Sequence, residues 1–189
     1  MSSKTPFELR EHAFEAQYFQ KKEQELVSAL RKVFHKKVDK QEIREATGVT
    51  DEELLDRLVD IGVDGEMLLA FQLLPIVEVA WADQKPDDRT IRAVLEAGET
   101  HGVAKGSKGR EMLERRLTLG PSEDLRKVWF HYAEALKKAL TPEQLAEFRE
   151  DLLGMCSRVA EASGGILGLV LKTSAREQRV MDRVKEALS

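Results

Sequence analysis

The amino-acid sequence predicts an all-α protein, a bundle of helices. Leu, Ala, Glu, Lys and Arg are abundant, whereas aromatic residues make up 6% of the chain and there are five prolines. Straight side chains lose little rotamer freedom in a helix, while β-branched and aromatic side chains favour strands. No run of alternating apolar and polar residues lies between two hairpin turns. We therefore expect helices and no β-sheet.

Length and charge limit the classes of function. The 189 residues suit one domain, or one domain with an appended helical arm. The net charge of −4 argues against a dedicated nucleic-acid binder, which needs a basic face. We expect no secretory signal and no membrane span, since the longest apolar run, residues 166–171, is short. The single cysteine, Cys156, allows no internal disulfide, and together these features favour a cytoplasmic location.

The first helix is an N-terminal amphipathic arm, predicted over residues 1–38. Thr5 and Pro6 suit a helix start, and apolar residues recur at near-helical spacing up to Phe34. Aromatic side chains rimmed by charges fit a partner's groove, and they equally fit an arm packed on its own protein. The candidate partner-binding residues are Phe7, Arg10, Glu11, Phe14, Glu15 and Tyr18.

Residues 7–18 resemble the opening of the alphaproteobacterial ATP synthase inhibitor zeta subunit. The similarity rests on Phe7, Arg10-Glu11, Ala13-Phe14-Glu15-Ala16 and the aromatic Tyr18, and it covers about the first 25 positions. In that family the N-terminal segment inserts as a helix into the catalytic head of the rotary enzyme. The resemblance implies a protein partner, with the ATP synthase as the candidate, and a regulator that inhibits ATP hydrolysis.

Residues 39–63 are predicted to form a short two-helix connector. The basic, polar stretch Lys36–Lys40 predicts a break after the arm, and a short helix from Gln41 ends at Gly48. Thr50 and Glu53 have the spacing of a capping box that opens a second helix. The pair matches a helix-turn-helix outline, but carboxylates at the start of the second helix would face phosphates, which argues against DNA reading.

Residues 64–189 are predicted to form the helical bundle. A helix apolar on most sides runs from Asp64 or Gly65 to Trp81, and Pro75 kinks or divides it. A helix is expected around residues 91–100, and another follows a glycine-rich linker at 105–109. Ser122, Thr141 and Ser174 are the expected caps of the later helices. Cys156 lies on an apolar stripe without a basic neighbour, which predicts core packing rather than a nucleophile. The expected core contains Leu74, Val77, Trp81, Val94, Val128, Trp129, Leu152 and Val159.

An acidic loop after Trp81 is the candidate metal site. Asp83, Asp87 and Asp88 supply carboxylate oxygens between two helices, a ligand type that suits Ca²⁺ or Mg²⁺. The loop lacks the ligand spacing of an EF-hand, and acidic residues before a helix also cap it and favour its dipole. We favour capping, which leaves at most a weak Ca²⁺ or Mg²⁺ site and no other cofactor.

The same loop, Ala82-Asp83-Gln84, resembles the Ala-Asp-Gly loop of the tellurite-resistance TerB-like helical domains. The resemblance covers roughly residues 67–188. Val79–Asp83 is also weakly similar to Val159–Ser163, which predicts two helix–loop–helix units packed about a pseudo-two-fold axis. The family implies a non-catalytic binding or scaffold protein, related to stress. Its loop glycine is Gln84 here, and its Glu–Arg pair falls near Thr90-Ile91, so one expected metal ligand is missing.

The histidines do not indicate catalysis. His12, His35, His101 and His131 lie in four different predicted elements, and none has the spacing of a metal pair or of a relay with a Ser or Cys. No catalytic motif is present in the sequence. We therefore expect a protein that is not an enzyme.

Overall fold

The computed structural model describes residues 35–163 and 173–189, together with Lys21, Lys22 and Glu25. Every regular element in these ranges is an α-helix, which confirms the predicted all-α class. The chain divides into two compact units, Met1–Val38 and Asp39–Ser189. The six predicted partner-binding residues of the arm lie outside the described residues.

The helices of the described ranges follow one another with short connections. Residues 35–47 are helical, and we name this stretch α1. The others are α2 Glu52–Asp60, α3 Gly65–Gln72, α4 Leu74–Ala80, α5 Asp88–Thr100, α6 Lys108–Leu119, α7 Glu123–Ala139, α8 Pro142–Ser163 and α9 Ala175–Ala187. The predicted break at Lys36–Lys40 is wrong, because these residues are helical. Lysine is a good helix former, so a polar stretch by itself does not end a helix.

Several helix starts have the predicted side-chain caps. Ser122 caps α7, and Ser174 forms a full capping box with Glu177 on α9. Asp64, one of the two residues at which the sequence starts α3, is the cap of that helix. The expected cap Thr50 is wrong, because the carboxylate of Asp51 accepts from the backbone N–H of Leu54 at 3.0 Å. Asp51 lies one residue nearer to the helix and makes the N-cap hydrogen bond that was expected of Thr50. The cap of α2 is therefore one residue later in the sequence than predicted.

The predicted glycine-rich linker contains a helix start. Ser107 caps α6 by accepting from the N–H of Arg110 at 3.1 Å, and the helix begins at Lys108. Gly109 lies within its first turn and is buried. The expected start at Arg110 was therefore two residues late.

Pro75 divides the central apolar helix in two. α3 ends at Gln72, and Leu73 is both the C-cap of α3 and the N-cap of α4. Pro75 then stands in the first turn of α4, where its missing N–H would have had no helical partner. α4 is largely buried, whereas α3 buries one face, with Leu68, Ala70 and Phe71.

The core of the second unit surrounds α4, which packs against α5, α6, α8 and α9. The two predicted helix–loop–helix units, α4–α5 and α8–α9, contact each other, since α8 packs on both α4 and α5. Seven of the eight expected core residues are buried. Trp81 is the exception: it is only partly buried, because it forms the C-cap of α4 at the edge of the core.

The residues of the predicted connector also belong to this core. Leu54, Leu55 and Leu58 of α2 are fully buried, and α2 packs on α7. Residues 39–63 therefore pack within the second unit. None of the helices in the described ranges is both long and apolar enough to cross a membrane.

Candidate functional site

A cleft of about 580 Å³ opens between the end of α4, the start of α7 and one face of α9. Four arginine side chains line it, and we name it the arginine cleft. They are Arg126 of α7 and Arg176, Arg179 and Arg183 of α9. The other lining residues used below are Glu78, Trp81, Pro121, Val180, Asp182 and Glu186.

Glu78 holds the inner part of the cleft together. Its carboxylate accepts from Nε of Arg126 at 2.7 Å and lies 3.5 Å from Nη2 of Arg183. Its side chain is 13% exposed, so this pairing is shielded from bulk water. The hydrogen bond to Glu78 raises the pKa of Arg126. Arg126 also donates from Nη1 to Glu123 at 2.7 Å, so two of the four guanidinium groups have carboxylate partners within the fold.

The outer part of the cleft presents guanidinium groups with few partners. Arg176 and Arg179 are both exposed. Nη1 of Arg176 donates to the backbone carbonyl of Asp83 at 3.4 Å, and Arg179 makes no hydrogen bond or ion pair with another described residue. A guanidinium group carries five N–H donors in a planar fork that matches a carboxylate. Most of these donors face solvent and are available to an anionic group.

Two carboxylates border the arginines on α9. Asp182 accepts from Nε2 of Gln178 at 2.8 Å, and Glu186 lies one turn further along the helix. Glu78, Asp182 and Glu186 line the cleft, and Glu123 pairs with Arg126, so four carboxylates balance the four arginines. The guanidinium groups that lack a carboxylate partner among the described residues are those of the outer pair, Arg176 and Arg179.

Trp81 supplies an apolar wall beside the arginines. Its ring is the nearest group to Gly120, where an added Cβ would lie 3.8 Å away. That contact is ordinary, so the constraint on Gly120 is its φ of +90°, which other residues rarely adopt. Nε1 of Trp81 is buried and has no acceptor among the described residues. Leu119, which precedes Gly120 in the sequence, is 62% exposed.

The acidic loop has a capping role at Asp87. Its Oδ1 accepts from the backbone N–H of Thr90 at 2.8 Å and from the Thr90 hydroxyl at 2.7 Å. These hydrogen bonds lower the pKa of Asp87. Asp83 and Asp87 line a small cavity of about 120 Å³, whereas Asp88 is exposed in the first turn of α5. The described part of the chain contains no group of three or more His, Cys, Asp or Glu side chains placed to hold a metal. Metal binding by this loop stays a prediction.

Glu177 lines the same small cavity, and the sequence did not predict its contact with the end of α8. It is 2% exposed, and its carboxylate accepts from the backbone N–H of Ser174 at 2.7 Å and from the hydroxyl of Ser163. The capping box at Ser174 was visible in the sequence, but the bond to the end of α8 was not. Glu177 thus joins the two helices of the second helix–loop–helix unit.

The remaining chemically active side chains have structural partners. Cys156 is buried, and burial raises the pKa of its thiol to about 12, which confirms core packing. His131 lies 3.3 Å from Asp51. His101 lies 3.0 Å from Oε1 of Gln72, and burial lowers its pKa. His101 also borders a separate cleft of about 370 Å³ on α8.

Sequence reasoning did not identify the arginine cleft. Arg176, Arg179 and Arg183 recur at positions i, i+3 and i+7, a spacing that could have revealed one basic helix face. Arg126 and Glu78 come from distant parts of the chain and carried no such pattern. Only their packing reveals a common site.

A comparison of the chain with models of protein families, with curated proteins and with solved structures finds no match. The resemblances to TerB-like domains and to the zeta subunit remain expectations from the sequence.

Proposed function

We propose that this protein is a non-catalytic binding protein of the TerB-like type, which recognises an acidic segment of a partner protein in the arginine cleft. The observation that carries the proposal is the pair Arg176 and Arg179, exposed beside the partly buried Trp81 without a carboxylate partner among the described residues. Guanidinium groups bind carboxylates through two parallel hydrogen bonds. Trp and Arg are also the residue types that most often dominate the binding energy of interfaces.

The state of the titratable groups supports binding rather than catalysis. The Cys156 thiol is protonated at neutral pH, because its pKa is raised to about 12, and a protonated thiol is a poor nucleophile. His131 is held between Asp51 and Arg57, 3.3 Å and 3.4 Å from its ring nitrogens. The proposal includes the cytoplasmic location that the single cysteine favours and the stress-related role that the TerB-like resemblance implies.

A titration with a short poly-L-glutamate peptide tests the proposal. Trp81 lines the cleft and Trp129 is buried, so tryptophan fluorescence at low ionic strength should report occupancy mainly through Trp81. Arg179→Glu should weaken binding by about 10-fold, equivalent to ~1.4 kcal/mol, because it replaces an attractive charge by a repulsive one. The matched control is Arg115→Glu, an exposed arginine of α6 that does not line the cleft. Equal weakening by both variants, or no binding by the unmodified chain, would overturn the proposal.

A second candidate function is inhibition of ATP hydrolysis by a rotary ATP synthase through the N-terminal arm. One observation favours it: residues 7–18 resemble the opening of the zeta subunit. The full chain should then reduce the hydrolysis rate of purified ATP synthase. Phe14→Ala should weaken this inhibition by more than ~1 kcal/mol, as expected for an aromatic anchor. An unchanged hydrolysis rate with the unmodified chain would exclude this function.

A further inference from the structure

We infer that the occupant of the arginine cleft is an amphipathic helix of the partner protein, with carboxylates repeated along one face. The inference rests on the proposed function and specifies the form of the acidic segment. It follows from the arrangement of charged and apolar groups on α9 and around Trp81.

The arginines of α9 form a row with helical spacing. Arg176, Arg179 and Arg183 are three and then four residues apart, and all three line the cleft. With a rise of about 1.5 Å per residue, the row is about 10 Å long. A second helix laid along α9 has the same rise, so carboxylates at its own positions i, i+3 and i+7 meet the three guanidinium groups in turn. An extended segment places side chains of one face about 6.6 Å apart, which matches the steps of the row less well.

An apolar strip lies beside the row. Val180 is buried between Arg179 and Arg183 in the sequence of α9, and Trp81 and Pro121 form the adjoining wall. Such a strip favours one aliphatic or aromatic side chain next to the carboxylates, the pattern of an amphipathic helix that enters a groove. Inorganic phosphate and other small anions have no group that would cover this strip.

Asp182 and Glu186 disfavour an extended anionic surface as the occupant. They are four residues apart and form a second row beside the arginines, because Asp182 follows Arg179 by three positions and Glu186 follows Arg183 by three. A lipid bilayer or a nucleic acid would present phosphates to both rows and be repelled by one of them. A helix presents different side chains to each row, so it can match the arginines and avoid the carboxylates. Because a row of arginines lies beside a row of carboxylates, the charges of α9 also fix the orientation in which the partner helix binds.

The test uses the full chain and a synthetic helical peptide as the probe. The probe carries glutamates at positions i, i+3 and i+7 and a leucine at i+4 in an alanine-rich background. The control peptide has the same composition, with the glutamates distributed around the helix. Isothermal titration calorimetry should give about 10-fold tighter binding of the probe than of the control peptide. Arg179→Glu should remove this preference, and a probe with lysines in place of the glutamates should bind that variant more tightly than it binds the unmodified chain.

The outcomes separate this inference from the proposed function. If both peptides bind equally and Arg179→Glu weakens both, the cleft takes acidic segments of any form and the helix inference is wrong. If neither peptide binds, or if Arg115→Glu weakens binding as much as Arg179→Glu, the proposed function fails with it. Stronger Arg179-dependent binding to vesicles of phosphatidylcholine and phosphatidylserine than to the probe would also overturn the inference.

Discussion

Leu152 shows what a single buried side chain contributes to this fold. It is 1% exposed and lies in α8, which packs on α4 and α5. Leu152→Ala should lower the free energy of unfolding by roughly 2–5 kcal/mol, because it removes buried apolar surface and leaves a cavity. Urea unfolding followed by circular dichroism measures the change.

The control for this prediction is Leu119→Ala, at a side chain that is 62% exposed. A surface substitution of this kind should change the free energy of unfolding by less than ~0.5 kcal/mol. Similar losses in the two variants would contradict the placement of Leu152 in the core.

Single residues also mark where local patterns were sufficient and where they were not. Ser122 and Ser174 are expected caps and do cap α7 and α9, since a cap depends only on the side chain and the next three residues. The cap of α2 is Asp51 and not the predicted Thr50, because both adjacent residues can cap and the local pattern does not distinguish them. The apolar character of Trp81 predicts a core position, but its exposure depends on neighbours from other elements.

At the scale of elements, α6 approaches α3 closely at a glycine. A Cβ on Gly109 would lie 3.1 Å from Cβ of Ala70 and 3.3 Å from the backbone oxygen of Glu66. Gly109→Ala should therefore destabilise the protein by about 1–3 kcal/mol, since the two helices would have to move apart. Chemical unfolding at equilibrium provides the measurement.

Gly154→Ala is the matched control within α8. An added Cβ there would meet only the guanidinium of Arg158, at 3.7 Å. Alanine is the better helix former, so this variant should be more stable than the unmodified chain by up to ~1 kcal/mol. The opposite signs of the two effects are the prediction, and a loss of stability in both variants would contradict it.

For the whole molecule, acid should weaken three helix starts together. Asp51, Asp64 and Asp87 cap α2, α3 and α5, and each has a lowered pKa. Backbone hydrogen bonds are the largest cause for Asp51 and Asp87. For Asp64, burial acts in the opposite direction, but the bonds from Lys108 and the N–H of Met67 outweigh it.

The sign of the pH effect follows from these lowered pKa values. A carboxyl whose pKa is lower in the folded than in the unfolded state contributes stability that is present above its unfolded pKa, about 4, and lost as the pH falls through the folded pKa. Thermal unfolding between about pH 7 and pH 3 should show this loss. Replacing the three caps by asparagine, which caps well without titrating, should reduce the slope below about pH 4. An unchanged slope would mean that other groups control acid unfolding.

The sequence alone determined the features that arise within a few residues. The helical class depends on rotamer freedom, and the interruption at Pro75, as a kink or a division, depends on a missing donor. The boxes at Thr141–Gln144 and Ser174–Glu177 depend on local hydrogen bonds. These causes operate inside one element, so their pattern is visible without the fold.

Only the tertiary structure decided the site. Glu78 pairs with Arg126, 48 positions away, and with Arg183, more than a hundred positions away. Such distant residues meet because burial of the apolar faces of α4, α7 and α9 brings their charged edges together. The same packing leaves Trp81 at the margin of the core, next to arginines that no sequence pattern connects to it. A binding cleft of this kind is a consequence of how the helices pack, so no local sequence pattern predicts it.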